Sequence, residues 1–183
     1  MTGDRSPEST LSLPPRPAGT PRDCGDLGIR IGRDGTWYYQ GSPIGRKPLV
    51  RFFASVLRRE GDGQYWMVTP AERGTVAVED APFTAVEVTA SGQGRAQRLR
   101  FRTNLDDEVV ADAEHPIRVQ HDPKTEEPSP YILVRDGLEA RLLRPVYYEL
   151  VTLGETRMVG SEEQLGVWSG GQFFLLGRLG SAR

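Results

Sequence analysis

Ile29-Arg30-Ile31-Gly32-Arg33-Asp34-Gly35-Thr36-Trp37-Tyr38-Tyr39 reads as strand, tight turn, strand. A second copy of the pattern is Tyr131-Ile132-Leu133-Val134-Arg135-Asp136-Gly137-Leu138-Glu139-Ala140. In both, Arg-Asp-Gly separates short runs of β-branched and aromatic residues. Asp-Gly favours a hairpin because glycine accepts the positive φ that the turn requires. Each hairpin leads into a stretch that opens near proline, closes at glycine and has helical character, so the chain reads as an internal duplication.

Outward from the first hairpin, Pro48 to Gly61 is predicted to be helical. Leu49, Phe52, Phe53, Val56 and Leu57 recur at the spacing of one helix face. Gln64–Thr69 and Thr75–Val78 then form a hairpin. In the second copy the helix is Pro145–Leu153 before Gly154, and Gln164–Trp168 and Gln172–Leu176 flank Ser169-Gly170-Gly171 as a closing hairpin. Trp66 and Trp168 fall in matching strands. The second copy is preceded by extra strands between Phe83 and Gln120. Pairing Ala90 with Arg95 sets Val86 opposite Leu99 and Glu87 opposite Arg98, with Arg98, Arg100 and Arg102 on one face and Leu99 and Phe101 on the other. That arginine stripe is either a phosphate site or the wet face of an edge hairpin.

The expected fold class is α+β, with duplicated antiparallel sheet modules that each carry one helix. Residues 1–22, with Pro14-Pro15-Arg16-Pro17, have little to bury and read as a disordered tail. Residues 23–82 form an N-terminal module and 83–183 a C-terminal one.

Composition narrows the function. The 183 residues carry 23 basic and 25 acidic side chains, for a net charge of −2, which argues against bulk nucleic-acid binding. Cys24 is the only cysteine, so no intrachain disulfide forms. With no secretory signal and no apolar run of membrane-spanning length, a cytoplasmic protein is expected.

No motif names a reaction. His115 and His121 lie among Asp106, Asp107, Asp112, Glu114 and Asp122, but without a recognised ligand spacing, and no metal or other cofactor is expected. There is no nucleophile elbow, and Gly92-Gln93-Gly94 does not open a helix, so it is no nucleotide fingerprint. Glu79 and Asp80 are adjacent carboxylates, suited to acid–base work in a cleft or to capping the turn before Pro82.

Several separated segments carry a family likeness: Val78-Glu79-Asp80-Ala81-Pro82-Phe83, Thr103-Asn104-Leu105-Asp106, His115-Pro116-Ile117, Val134–Arg141 and Arg144-Pro145-Val146-Tyr147-Tyr148. In this order they resemble the bacterial "domain of unknown function 1285" family over about Cys24 to Leu176. The resemblance implies two related α+β modules, the second with a pleckstrin-homology-like look. It also implies a ligand site between them, for a nucleotide-like molecule in signalling.

Three readings follow. The first is a ligand-binding or regulatory protein whose small molecule sits between the modules. Its candidate residues are Glu79, Asp80, Thr103, Asn104, His115, Arg135 and Arg144, with the arginines on an anionic group. The second is a protein-interaction module, and the exposed edges of small sheets also leave room for a homo-oligomer. The third is an enzyme with Glu79, Asp80 and His115 as acid–base groups. No catalytic residue is assigned.

Overall fold

The computed structural model describes residues 20–181, so the expected tail falls almost wholly outside the described residues. The first module contains β1 (Arg22–Ile31), β2 (Trp37–Tyr39), β3 (Ser42–Pro43), α1 (Lys47–Ser55), β4 (Leu57–Arg59), β5 (Tyr65–Val68) and β6 (Glu72–Val78). The second contains β7 (Phe83–Ser91), a short 3-10 turn (Gly94–Ala96), β8 (Arg98–Thr103), β9 (Glu108–Val110), β10 (Ile117–His121), β11 (Pro128–Arg135) and β12 (Leu138–Leu142). It ends with α2 (Arg144–Thr152), β13 (Glu155–Val159), β14 (Glu162–Ser169) and β15 (Gln172–Ser181). The two-module α+β reading, with one α-helix in each module, describes these elements.

The duplication is visible strand by strand. Each copy runs hairpin, helix, three-stranded meander, with Trp66 and Trp168 in the middle strands β5 and β14. The two Arg-Asp-Gly turns are nevertheless different. Around Asp34 the Gly32 N–H bonds to the Thr36 carbonyl and only Gly35 has a positive φ, a three-residue loop. Around Asp136 both Asp136 and Gly137 have positive φ, and Arg135 pairs with Leu138, a two-residue loop.

Four expectations need correction. The sheets are mixed, not antiparallel. β1 pairs with β6 in parallel, giving the order β3-β2-β1-β6-β5-β4, and β12 pairs with β7 in parallel, giving β10-β11-β12-β7-β8-β9. A parallel partner needs a long crossover, and the elements between each pair provide it. Second, α1 ends at Ser55 rather than reaching Gly61, and the chain passes into β4, where Leu57 is completely buried. The α1 residues that face the core are Val50 and Ala54, while Leu49 and Phe52 face outward at 39% and 60% exposure.

Third, the β7–β8 register places Ala90 opposite Leu99 and Glu87 opposite Arg102. The 3-10 turn lengthens the loop, so the register moves by four residues. An even shift keeps every side chain on its expected face. Leu99 and Phe101 are fully buried, and Arg98 and Arg100 are exposed. Fourth, each helix is followed by a strand missing from the hairpin–helix–hairpin scheme: β4 in the first copy and β13 in the second.

One contiguous core runs through both modules, from Ile31, Trp37 and Leu57 to Phe83, Phe101, Ile132 and Leu150. The β13-β14-β15 sheet is tied to β8 by the buried Ser169 hydroxyl. That hydroxyl accepts from the Leu99 N–H at 2.9 Å and donates to the Ala111 carbonyl at 2.6 Å. No helix of the described residues is long and apolar enough to cross a membrane.

Candidate functional site

The β1–β2 turn is driven against the second module. Gly35 packs so closely there that a Cβ would lie 2.8 Å from Asn104 Nδ2 and 3.1 Å from Thr84 Oγ1. The Asn104 amide spans the seam: Oδ1 accepts the Thr84 N–H at 3.1 Å, and Nδ2 donates to the Gly35 carbonyl at 3.2 Å. Thr103 is fully buried, and its hydroxyl accepts the N–H groups of Leu105 and Asp107. Asn104 therefore bridges the two modules, and Thr103 braces the adjoining turn within the second module.

Beside this clamp, α1 lies over the Leu105–Asp107 turn and Arg135. Three residues from each module line a cleft of about 310 Å³: Arg51, Ala54 and Ser55 face Leu105, Asp107 and Arg135. Arg135 is anchored at its rear, where Nη2 donates to the Ala54 carbonyl at 2.9 Å and the guanidinium lies 5.1 Å from the Phe83 ring centroid. Its contact with Asp107 is looser, at 3.6 Å. Arg51 likewise reaches Asp106 only at 3.6 Å, because Lys47 holds that carboxylate at 2.8 Å. The Lys47 hydrogen bond also holds the Asp106 carboxyl below its ordinary range. Two guanidinium groups thus face the cleft with donors to spare.

A second seam is built on the adjacent carboxylates. Asp80 accepts from Tyr131 Oη and from Arg141 Nη1, each at 2.7 Å, and Arg33 Nε stands 3.3 Å away. Glu79 accepts the Arg33 N–H at 3.0 Å and pairs with Arg30, which stacks on Tyr38 at 4.0 Å. Behind them Arg118 grips Glu139 through two hydrogen bonds of 2.6 and 2.7 Å and covers the Tyr131 ring. A smaller recess of about 160 Å³ opens next to this network, lined by Arg33, Arg141, Arg144 and Glu127 among others. Arg144 is mostly exposed and bonded to Glu127 at 2.5 Å.

His115 joins neither seam. It sits in the β9–β10 loop, where Nδ1 and the backbone N–H both contact Asp112 Oδ1. Glu79 and Asp80 are occupied by arginines, and His115 by Asp112. No group of three or more His, Cys, Asp or Glu residues is placed to hold a metal ion among the described residues.

The candidate set therefore divides. Arg135, Asn104 and Thr103 gather around the cleft, Glu79, Asp80 and Arg144 around the second seam, and His115 stands apart. Arg51, Ser55 and Asp107 escaped the sequence reading. Arg51 and Ser55 lie off the apolar helix face that the spacing picks out, Asp107 drew notice only beside the histidines, and only α1 docking makes them one wall.

Burial raises the phenol pKa of Tyr65, Tyr131 and Tyr147 above the ordinary value near 10, and at Tyr131 the Asp80 hydrogen bond adds to it. The folded state holds these protons more tightly than the unfolded chain. The stability involved is intact below about pH 10 and is lost as pH rises through the raised values. Denaturant midpoints should begin to fall at about pH 10, where the unfolded chain's tyrosines ionise, before these three phenols ionise in the folded protein. Midpoints that stay flat from there upward would contradict this linkage.

Family models match almost all of the described chain. Residues 14–81 match the N-terminal domain of the domain of unknown function DUF1285, and residues 82–176 match the C-terminal domain of the protein of unknown function DUF1285. The crystal structure of a DUF1285 family protein from Silicibacter pomeroyi DSS-3 is similar, at 46% identity and a TM-score of 0.80 over 90% of this chain and 87% of that one. Another, from Shewanella baltica OS155, aligns at 26% identity and a TM-score of 0.54 over 69% of this chain and 91% of that one. None of the curated proteins matches.

Proposed function

This chain belongs to the DUF1285 family, and from that premise we propose that it is a ligand-binding regulatory protein of the cytoplasm whose site is the cleft between α1 and the Leu105–Asp107 turn. The observation that carries the reading is the pairing of Arg51 and Arg135, from different modules, across about 310 Å³. That volume lies near the lower end of small-molecule sites, roughly 300–1,000 Å³. The guanidinium donors suit a phosphate or carboxylate. Asp107 and the Ser55 hydroxyl suit the hydroxyl or amino groups of a nucleotide-like body. In this reading Asn104 and Thr103 fix the turn that carries Leu105 and Asp107 rather than touch the ligand. Asp80 holds the neighbouring seam, Glu79 braces Arg30 and Arg33 beside it, and Arg144 lines the recess there. A molecule that contacts both modules changes how firmly they dock, which is the basis for a signalling role.

A thermal-shift screen against nucleotides, cyclic nucleotides, dinucleotides and sugar phosphates tests this. A ligand at about 100 times its dissociation constant adds about 2.7 kcal/mol to folding stability. The expected shift disappears in Arg51→Glu, an exposed position, and persists in Arg144→Ala, which lines the other recess. A blank across the panel, or a shift that survives Arg51→Glu, overturns the cleft assignment.

One observation favours a second reading. The outward-facing Leu49 and Phe52 form an apolar pair on α1 flanked by Lys47 and Arg51. A protein-interaction module, with the pleckstrin-like character expected of its second half, would use such a surface. It predicts capture of a partner that Phe52→Glu abolishes and a nucleotide panel does not displace.

A further inference from the structure

We propose that the second module carries its own binding site, independent of the inter-module cleft, for an organic monoanion with an apolar body, in the groove between β10 and β15. In the first module, the opening strand β1 pairs with the closing strand β6 along a parallel ladder. In the second, the corresponding strands β11 and β15 do not pair. β10 takes the place beside β11, and β10 and β15 stand side by side as the end strands of two different sheets, with no ladder between them among the described residues. The duplicated fold is open where its twin is closed.

The opening is a groove of about 630 Å³, larger than either recess at the module seam. Its wall is apolar: Leu176 is buried, Val119, Leu165 and Tyr147 are half-buried, and Leu175 is 39% exposed. Covering such surface is the driving force for an apolar ligand. Gly177 marks the space above the strand. Its φ is ordinary, and a Cβ built on it meets nothing within 4 Å. A glycine inside a strand that needs neither a special φ nor tight packing leaves room for another molecule to approach the backbone.

The rim sets the charge of that molecule. Arg178 meets Glu162 only at 3.5 Å, which leaves most of its five N–H donors free, and the His121 ring adds another polar contact at the lip. Glu126, on the same lip, disfavours a second negative charge. The lip is a built turn: Asp122 Oδ1 accepts the N–H groups of Lys124 and Thr125, and the Glu126 N–H bonds back to the Asp122 carbonyl. A preformed lip lowers the ordering cost of binding. A carboxylate or sulfonate on a hydrocarbon or aromatic body satisfies both parts of the groove.

The test uses the full chain and two probes, the dye anilinonaphthalene sulfonate and decanoate. The expected result is saturable dye fluorescence at one dye per chain that decanoate displaces. Gly177→Leu fills the groove without straining the backbone and should weaken both probes about tenfold or more, as should Leu175→Glu. Arg178→Gln should weaken decanoate about tenfold and leave displacement by decanol unchanged. Phe52→Glu, at the other exposed patch, should leave the binding of both probes unchanged, and a nucleotide hit of the inter-module cleft should not displace the dye, so this site and the cleft stand or fall separately. Wild-type binding by a folded Gly177→Leu protein, absence of saturable binding, or a loss caused by Phe52→Glu overturns the proposal. An equal response of decanoate and decanol to Arg178→Gln overturns the assignment of the anion.

Discussion

Replacing Gly35 with alanine should lower the unfolding free energy by about 3 kcal/mol, while the same change at Gly137 should cost about 1 kcal/mol. Both glycines close an Arg-Asp-Gly turn, and both have positive φ, +83° and +74°. The backbone penalty of a non-glycine residue is therefore similar at the two sites. What differs is the space. At Gly137 the nearest atoms to a new Cβ belong to the Arg59 side chain, at 3.9 Å, an ordinary contact. At Gly35 they are Asn104 Nδ2 at 2.8 Å and the buried Thr84 side chain.

The Asn104 amide cannot turn away freely, because it is held at one end by the Thr84 N–H and at the other by the Gly35 carbonyl itself. Making room sacrifices one or both of those hydrogen bonds across the module seam, at about 1 kcal/mol each. For a chain of this size, 3 kcal/mol corresponds to a fall in Tm of roughly 6–12 °C. Paired thermal melts of the two variants decide the matter. Equal losses would mean that the turn backbone, and not the seam, sets the cost.

Replacing Asp80 with alanine should cost about 2–3 kcal/mol, because it strands its partners. The Asp80 side chain is 14% exposed and that of Arg141 22%, so a guanidinium and the Tyr131 hydroxyl lose their acceptor with little water to take its place. The control is the double variant Asp80→Ala with Arg141→Met. Removing both charges and keeping the volume of the long side chain avoids the stranded cation. The double variant should be closer to wild type than the sum of the single changes, with a coupling of about 1–3 kcal/mol. Strict additivity in chemical denaturation would show that Asp80 and Arg141 do not act as a pair.

Only part of the site was legible in the sequence. Glu79, Asp80, Asn104 and Arg135 stood out as polar residues within recognisable motifs; Asp80, Asn104 and Arg135 do lie at module contacts, while Glu79 pairs with Arg30 and Arg33 of its own module. Their role there was not legible. An asparagine that reads a ligand edge and one that clamps two backbones have the same sequence, and only the position of the Gly35 carbonyl distinguishes them. Arg51 was the harder case. On an isolated helix its guanidinium is one more solvated charge. It faces a cleft because α1 settles on Val50 and Ala54 and turns Leu49 and Phe52 outward, against the hydrophobic pattern.

What the sequence by itself determined is local. The Asp-Gly turns, the alternating faces of β8, the matching tryptophans and the duplication all follow from side-chain periodicity and from the φ that a turn demands. The β7–β8 register could move by four residues and still keep Leu99 and Phe101 inside, because the faces depend only on an even shift. Strand neighbours beyond the hairpins were decided by the tertiary structure alone. The ladders between β1 and β6 and between β7 and β12 are made by backbone groups that every residue carries, so no side-chain pattern encodes which strand comes next. The same reason ends α1 at Ser55. Its intrinsic pattern extends to Leu57, but Leu57 is completely buried once β4 joins β5, and burial in the shared core outweighs one more helical turn.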